Sequence, residues 1–301
     1  MGLQFNEFPI PLEPGQAVSK GWTKATAGVP VGVTWHWTAS YDLSTCRRTI
    51  GGAQAERKGV ASAHFAVGRS RAEGIDRYVS LENRSWHAGI NQVLRWDGKP
   101  SDAATKASRS TIGVETVNIG YARPGIPAGV DWIDIAAVDS RRVLRVQPWT
   151  EEQIEMMIEL GKMIYGQFNR IGVRDHHGHH DLCPGYKDDV AGFPFARVLS
   201  GIYGVAVPDV WTPLRLPIQR QKALRLLGAA LGDTGPRHDG VDGLWGRVSD
   251  RALIEFQASN GLVPNGYWST FVCWQIHDRL QERGIDLAAE CGNLVQLLSP
   301  E

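Results

Sequence analysis

The segment Val31-Gly32-Val33-Thr34-Trp35-His36-Trp37-Thr38 decides the fold class of this chain. Its strict alternation puts valines and tryptophans on one face of a β-strand and Thr34 with His36 on the other. The segments at residues 63–67 and 111–117, which are mostly apolar or β-branched, predict two more strands. Thr150-Glu151-Glu152-Gln153 has the pattern of a capping box and predicts the start of a long helix. This mixture of strands and helices predicts an α/β domain with a central β-sheet flanked by helices.

A second informative segment is Gly178-His179-His180-Asp181-Leu182-Cys183-Pro184-Gly185-Tyr186-Lys187-Asp188-Asp189, which combines histidines, a lysine and carboxylates. A neutral imidazole and a carboxylate oxygen are both good zinc ligands, and a catalytic zinc typically takes three protein ligands. His36 from the first strand, together with His179 and Asp189, would complete a His-His-carboxylate site for one zinc ion. A lone histidine on a strand is more often a satisfied polar residue, so spacing alone does not prove this site.

An acidic residue interrupts another predicted strand. Glu115 lies within Thr111-Ile112-Gly113-Val114-Glu115-Thr116-Val117-Asn118, which is otherwise mostly apolar. Burying a carboxylate without a partner costs on the order of several kcal/mol. A pocket-lining acid explains this position better than a core residue does. The alternative is that this face of the strand is exposed to solvent.

The composition excludes some classes of function. The chain has 301 residues, with 32 basic and 32 acidic side chains and a formal net charge of +0. This neutrality argues against nucleic-acid binding, which needs clustered Lys and Arg to neutralise phosphates. No apolar run of about 18 residues occurs and the amino terminus has no signal-like region, so we expect neither a membrane span nor a Sec signal. Cys273 and Cys291 could pair, but we expect reduced buried thiols.

A change of pattern predicts two domains. Pro208, Pro213 and Pro217 interrupt a weakly patterned segment, so we place a boundary at residue 207. The second part is predicted to be helical only, with helices over 219–231, from Ser249 onwards and over 268–280. The sequence thus predicts a domain over 1–207 and a small all-α, three-helix domain over 208–301. We find no internal repeat of the solenoid kind.

Five segments of the first part occur together in a fixed order. They are Val33 to Ser40, Val60 to Phe65, Ser85-Trp86-His87-Ala88-Gly89, Ser110 to Glu115, and Gly178-His179 through Lys187-x-Asp189. Zinc-dependent N-acetylmuramoyl-L-alanine amidases have similar segments in the same order, and the chain resembles the branch that includes AmpD-type amidases and many phage endolysins. This resemblance implies an amidase fold with a mixed β-sheet. It also implies cleavage of the bond between the lactyl group of N-acetylmuramic acid and the L-alanine of the peptide stem.

The resemblance implies a role for each of seven side chains. They are the zinc ligands His36, His179 and Asp189, the catalytic residues Glu115 and Lys187, and the residues His64 and His87 of the substrate cleft. These residue types suit the chemistry, since zinc lowers the pKa of bound water to about 7. Glu115 can then take a proton from the attacking water and pass it to the leaving amine. The Lys187 cation can stabilise the oxyanion of the tetrahedral intermediate.

Cys183 competes with Asp189 for the third ligand position. It precedes Pro184-Gly185, as the cysteine ligand does in peptidoglycan-recognition proteins and related amidases. The Lys187-x-Asp189 spacing, however, fits the amidase pattern without a gap. We therefore expect Asp189 to be the ligand.

The second part has two characteristic segments, Asp242-Gly243-Leu244-Trp245-Gly246 and the segment from Phe256 to Leu262. Mainly in these segments it resembles the helical peptidoglycan-binding domain found on many cell-wall hydrolases. The resemblance implies peptidoglycan as the partner, although the same residues also suit a tight turn and a helical core. The sequence does not assign the glycan contacts.

We expect a monomeric zinc amidase that cuts peptidoglycan and is held on it by the second domain. A non-catalytic peptidoglycan-recognition protein and a zinc peptidase acting within the stem peptide are the alternatives. Without a Sec signal, such an enzyme would be made in the cytoplasm and reach the wall through a phage holin or a secretion system, or would recycle soluble fragments. The wall-binding domain favours an endolysin, because small fragments need no tether.

Overall fold

A computed structural model of the chain describes residues 5–10, 21–24, 30–50, 61–89, 91–102, 106–126 and 128–292. The chain divides by its internal contacts into two units. The first comprises Met1–Tyr121 and Gln147–Val207, and the second comprises Ala122–Val146 and Pro208–Glu301. The segment Ala122–Val146, which the sequence analysis assigned to the first part, thus belongs to the second unit. A functional division into 1–207 and 208–301 stays a prediction.

The first unit is built on a six-stranded sheet. The strands of this unit are β1 (Asn6–Glu7), β2 (Trp22–Lys24), β3 (Gly32–Trp37), β4 (Phe65–Val67), β5 (Ile75–Arg77), β6 (Asn83–Ser85), β7 (Thr111–Thr116) and β10 (His176–Gly178). The order of strands in the sheet is β1-β5-β4-β7-β3-β10. The β4–β5 pair is antiparallel and the other neighbouring pairs are parallel, which confirms the predicted mixed sheet. A separate antiparallel pair is formed by β2 and β6.

Among the described residues, four α-helices belong to this unit. They are α1 (Leu43–Thr49), α2 (Glu151–Gln167), α3 (His179–Leu182) and α4 (Phe195–Tyr203). Thr150 caps α2 as predicted, since its side chain accepts a hydrogen bond from the N–H of Gln153 at 3.1 Å. The Gln153 amide does not complete the capping box and instead donates to the carbonyl of Val117 at 2.9 Å. This hydrogen bond joins α2 to the end of β7. The Gln153 side chain thus makes a tertiary contact in place of the local capping-box bond to Thr150.

The second unit contains a hairpin and the predicted helices. Strands β8 (Ile133–Ala136) and β9 (Val143–Val146) pair in antiparallel fashion. The helices are α5 (Pro217–Leu226), α6 (Arg247–Ser259), α7 (Thr270–Gln281) and the short α8 (Leu287–Cys291). The three predicted helices correspond to α5, α6 and α7, whereas α8 and the hairpin were not predicted.

Two buried glutamines organise the second unit in the same way. Gln221 on α5 donates to Asp242 Oδ1 at 2.9 Å and accepts from the N–H of Gly243 at 2.7 Å. Gln257 on α6 makes the equivalent bonds to the Asn265-Gly266 turn, at 3.1 and 2.9 Å. Each turn is followed by a tryptophan and then by a helix. The unit therefore contains a duplicated turn-and-helix arrangement that the sequence analysis did not identify.

All four cysteines are buried and none forms a disulfide. The expectation of reduced, buried thiols agrees with this arrangement. Among the residues that the structure describes, none of the helices has the length and apolar character needed to cross a membrane.

Candidate active site

The sheet brings the candidate site residues together at one edge. His36 on β3 is the register partner of Glu115 on the neighbouring β7. Gly178 at the end of β10 pairs with Trp35 of β3, so His179 follows directly beyond the same edge. Ligand sites of α/β sheets usually form outside the carboxyl ends of their strands. The parallel pairing of β7, β3 and β10 therefore places these three side chains at such an edge.

The side chains of His36, His179 and Asp189 converge on one point. His36 Nδ1 and His179 Nδ1 are 3.0 Å apart, and His179 Nδ1 lies 3.0 Å from Asp189 Oδ2. His36 Nδ1 is 3.4 Å from the same oxygen. Donor atoms of a tetrahedral zinc with bonds of roughly 2.0–2.1 Å lie roughly 3.3 Å from each other. The donor types and their spacing in this buried group therefore fit a single zinc ion.

Burial and the Asp189 charge control protonation within this group. Burial, followed by the charge of His179, lowers the pKa of His36 to about 4. Burial also acts to lower the pKa of His179, but the carboxylate of Asp189 outweighs it and raises that pKa to about 10. The proton shared by His179 and Asp189 must leave when a metal binds, because imidazole ligates metals in its neutral form.

Glu115 and Lys187 belong to the same environment. Glu115 is buried, and its Oε2 has no hydrogen-bond partner among the described residues. Burial, followed by the charge of Asp189, raises the pKa of Glu115 to about 8. Lys187 is half-buried, and its charge acts to lower the pKa values of both Glu115 and His36. A carboxyl group with a pKa near neutrality suits general acid–base chemistry. The catalytic roles of both residues stay predictions.

The two predicted cleft histidines make their bonds to protein atoms. His64 is buried, its Nε2 lies 3.1 Å from the carbonyl of Asn83, and its Nδ1 accepts from the N–H of Gly113 at 3.0 Å. His87 is also buried and lies with its Nδ1 3.0 Å from Nε2 of His36. Substrate contact by these two residues stays a prediction, although the bonds of both rings are satisfied within the fold.

Other side chains that crowd the second segment have separate partners. His176 Nδ1 accepts from Trp35 Nε1 at 3.2 Å, and His180 Nε2 lies 3.2 Å from Asp181 Oδ1. The Cys183 thiol donates to the carbonyl of Ala88 at 3.5 Å. That thiol also neighbours His179 and helps to raise its pKa. The choice of Asp189 over Cys183 as ligand stays a prediction, and the converging geometry favours Asp189.

Asp181 has a structural role that was not predicted from the sequence. Its carboxylate accepts from the N–H of Gly178 at 2.7 Å, which secures the start of α3 and thereby the position of His179. Acidic residues are stabilising in the first turn of a helix, because they accept from its free N–H groups. The placement of an aspartate three residues after Gly178 was the available signal.

Residues 26–189 match the family model described as N-acetylmuramoyl-L-alanine amidase. This match covers more than half of the chain, which therefore belongs to the N-acetylmuramoyl-L-alanine amidase family and is an enzyme of the amidase class. A comparison with curated protein sequences gives no match.

Several solved structures are similar to this chain. AmiD from E. coli, in complex with anhydro-N-acetylmuramic acid-L-Ala-D-gamma-Glu-L-Lys, is 23% identical, with 92% of this chain and 98% of that chain covered and a TM-score of 0.48. AmpDh3 from Pseudomonas aeruginosa is 17% identical, with 87% and 96% covered and a TM-score of 0.48. The catalytic domain of XlyA is 18% identical, with 65% and 99% covered and a TM-score of 0.34.

Proposed function

We propose that this chain uses one zinc ion to hydrolyse the amide bond between N-acetylmuramic acid and L-alanine in peptidoglycan. The observation that carries the proposal is the convergence of His36 Nδ1, His179 Nδ1 and Asp189 Oδ2 within 4.8 Å of one another. An acid, Glu115, lies on the neighbouring strand in register with the first of these ligands. Membership of the amidase family supports the same reaction.

His36, His179 and Asp189 would hold the zinc ion. When bound, zinc supplies Lewis acidity, which polarises a carbonyl and lowers the pKa of water. The Glu115 carboxylate takes the proton of the attacking water and delivers it to the leaving nitrogen of L-alanine. The Lys187 ammonium stabilises the negative charge that develops on the carbonyl oxygen of the substrate. Glu115 thus acts through proton transfer, and Lys187 acts through its positive charge.

Metal analysis combined with digestion of purified peptidoglycan tests the proposal. We expect one zinc per chain and, by mass spectrometry, intact glycan strands together with peptides that begin with L-alanine. Asp189→Ala should lose both metal and activity. Glu115→Gln should keep the metal and lose activity by roughly 10²-fold or more, as expected for removal of a general base.

Three results would contradict parts of this proposal. A purified protein that holds no zinc and releases no stem peptide would contradict the proposed zinc amidase activity. Cleavage within the stem peptide would identify a peptidase instead. Loss of zinc from Cys183→Ser but not from Asp189→Ala would show that the third ligand is misassigned.

We propose in addition that the second unit binds the cell wall and that the enzyme acts as a monomeric endolysin. The Asp242–Gly246 and Phe256–Leu262 segments resemble the helical peptidoglycan-binding domain of cell-wall hydrolases, which supports wall binding. A tether to a polymer raises the effective substrate concentration. Co-sedimentation of the inactive Asp189→Ala protein with insoluble peptidoglycan tests this, since a protein left in the supernatant would contradict it. Light scattering measures the molar mass in solution and so tests whether the enzyme is a monomer.

A further inference from the structure

The hydrogen bonds around His87 fix which of its nitrogens carries the proton. His87 Nε2 lies 3.2 Å from the carbonyl oxygen of Thr111, and a carbonyl can only accept. The Thr111 hydroxyl, 3.3 Å from the same nitrogen, gives its own proton to the carbonyl of Ala107. His87 Nε2 therefore carries a hydrogen. His87 is buried, and its described hydrogen bonds run to Thr111 and His36 rather than to a carboxylate, so the ring is neutral and its Nδ1 is an acceptor.

This assignment extends to the candidate ligand His36. His87 Nδ1 lies 3.0 Å from His36 Nε2, so Nε2 of His36 must be the donor of that bond. A neutral His36 with its hydrogen on Nε2 has its lone pair on Nδ1. Nδ1 is the atom that lies 3.0 Å from His179 Nδ1 and 3.4 Å from Asp189 Oδ2. The hydrogen bonds that run from Thr111 through His87 to His36 thus direct the Nδ1 lone pair of His36 towards His179 and Asp189.

The fold has room for the His87 ring in this position because residue 113 is a glycine. Its ring packs against Gly113 of β7, where a Cβ atom would lie 2.3 Å from Cγ of His87. Any side chain larger than hydrogen at residue 113 would collide with the ring or displace it. His87 is only 5% exposed, so little of its surface is open to a substrate.

We propose that His87 is a positioning residue for the metal, and that it holds His36 in the tautomer and orientation that ligate zinc. This inference rests on the proposed zinc site and replaces the expectation that His87 contacts the substrate. Partners that accept the second N–H of a metal-bound histidine typically change metal affinity by about 10–100-fold when they are removed. The acceptor here is a second histidine, which is itself held by a backbone carbonyl.

The test compares two substitutions of almost equal size. His87→Leu removes the acceptor, whereas the amide oxygen of His87→Asn can take the place of Nδ1. We expect His87→Leu to weaken zinc affinity by about 10–100-fold, measured by competition with a chromophoric chelator, and His87→Asn to stay within a few-fold of the unsubstituted protein. The absorption spectrum of the cobalt-substituted protein should change in the leucine variant and be largely restored in the asparagine variant.

A second variant covers the case in which His87→Leu does not fold. Gly113→Ala keeps the imidazole but displaces it, so it should also weaken zinc affinity. Equal zinc affinity in all the variants would overturn the inference alone. So would a raised KM in His87→Leu with unchanged zinc affinity, because it would make His87 a substrate contact. Absence of zinc binding by the unsubstituted protein would overturn the proposed function together with the inference.

Discussion

Glu115 is an ionisable group in a deeply buried position. Its Oε2 has no hydrogen-bond partner among the described residues, and burial raises its pKa to about 8 from an ordinary value of 4.5. Each unit of such a shift corresponds to about 1.4 kcal/mol of difference between the two protonation states. A buried acid of this kind weakens the fold whenever it is ionised, which is consistent with selection for chemistry at this position.

We expect Glu115→Gln to stabilise the metal-free protein in a pH-dependent way. Below the ordinary pKa of 4.5, Glu115 is protonated in both the folded and the unfolded chain, so its ionisation costs nothing. As the pH rises from there to about 8, only the unfolded chain ionises freely, and the folded state loses stability. Above that range the glutamine variant should be more stable by roughly 2–5 kcal/mol, measured by urea denaturation.

The matched control for this prediction is Glu255→Gln. It makes the same chemical change at an exposed position of α6, so it should leave the stability within about 0.5 kcal/mol at every pH. If Glu115→Gln and the unsubstituted protein lost stability in parallel between pH 4.5 and 8, the raised pKa of Glu115 would be wrong.

The bounds of strands were predicted more accurately than the end of helix α5. Strands β3 and β7 were predicted almost to the residue, because β-branched and aromatic side chains fill them. Helix α5 was predicted to reach Leu231 but ends at Leu226. The apolar stripe continues past Gly228, which has a φ of 96°. The N–H of Ala229 donates to the carbonyl of Leu224 at 3.0 Å, as in a Schellman helix end.

The site was predictable in its residue types but not in its hydrogen bonds. The sequence could indicate His36, His179 and Asp189 as candidate metal ligands, because His179 and Asp189 are close in sequence and His36 lies in a predicted strand, and the structure brings the three together. The His36–His87 bond joins residues 51 positions apart and depends on which strand lies next to β3. Strand order is a tertiary property, so a single sequence could not predict the hydrogen bond between His87 and His36.

We expect Gly261→Ala to destabilise the second unit by about 1–2 kcal/mol. Gly261 follows the end of α6 with a φ of 71°, and no atom lies within 4 Å of the place that a Cβ would occupy. The penalty therefore comes from the backbone conformation alone, which an L-residue adopts at a cost of about 1–2 kcal/mol. Chemical denaturation followed by tryptophan fluorescence measures the change.

Gly166→Ala is the control with the opposite expected sign. Gly166 lies in the last turn of α2, and a Cβ there would also meet nothing within 4 Å. Alanine has the higher helix propensity, so this variant should gain roughly 0.5–1 kcal/mol. Equal effects of the two substitutions would contradict a conformational origin of the penalty at Gly261.

On the scale of the whole molecule, the second unit includes a segment inserted between parts of the first. The chain leaves the first unit after Tyr121 and returns at Gln147, where the N–H of Gln147 donates to the carbonyl of Gly120 at 2.9 Å. The inserted segment, Ala122–Val146, contains the β8–β9 hairpin. Insertions with adjacent ends are well tolerated by a fold, because the flanking segments need not move apart.

The buried guanidinium of Arg220 on α5 connects this hairpin to the helices of the second unit. It donates to the carbonyl of Ala137 at 2.8 Å, to that of Leu214 at 2.9 Å and to the hydroxyl of Ser140 at 2.6 Å. Its carbon lies 4.8 Å from the centre of the Trp268 ring. Burial lowers the pKa of Arg220 to about 9, so it remains charged at neutral pH. Carbonyl groups and an aromatic ring thus stabilise this cation.

We expect Arg220→Met to destabilise the second unit by roughly 2–4 kcal/mol, because it leaves several buried acceptors without a donor. Hydrogen exchange should accelerate in both β8–β9 and α5, while β3 and β7 of the first unit keep their protection. Arg225→Met is the matched control, since Arg225 is exposed on the same helix and its guanidinium contacts the carbonyl of Ala229 at 3.3 Å. It should change stability by less than about 0.5 kcal/mol. If the hairpin kept its protection in Arg220→Met, Arg220 would not be what joins the inserted segment to this unit.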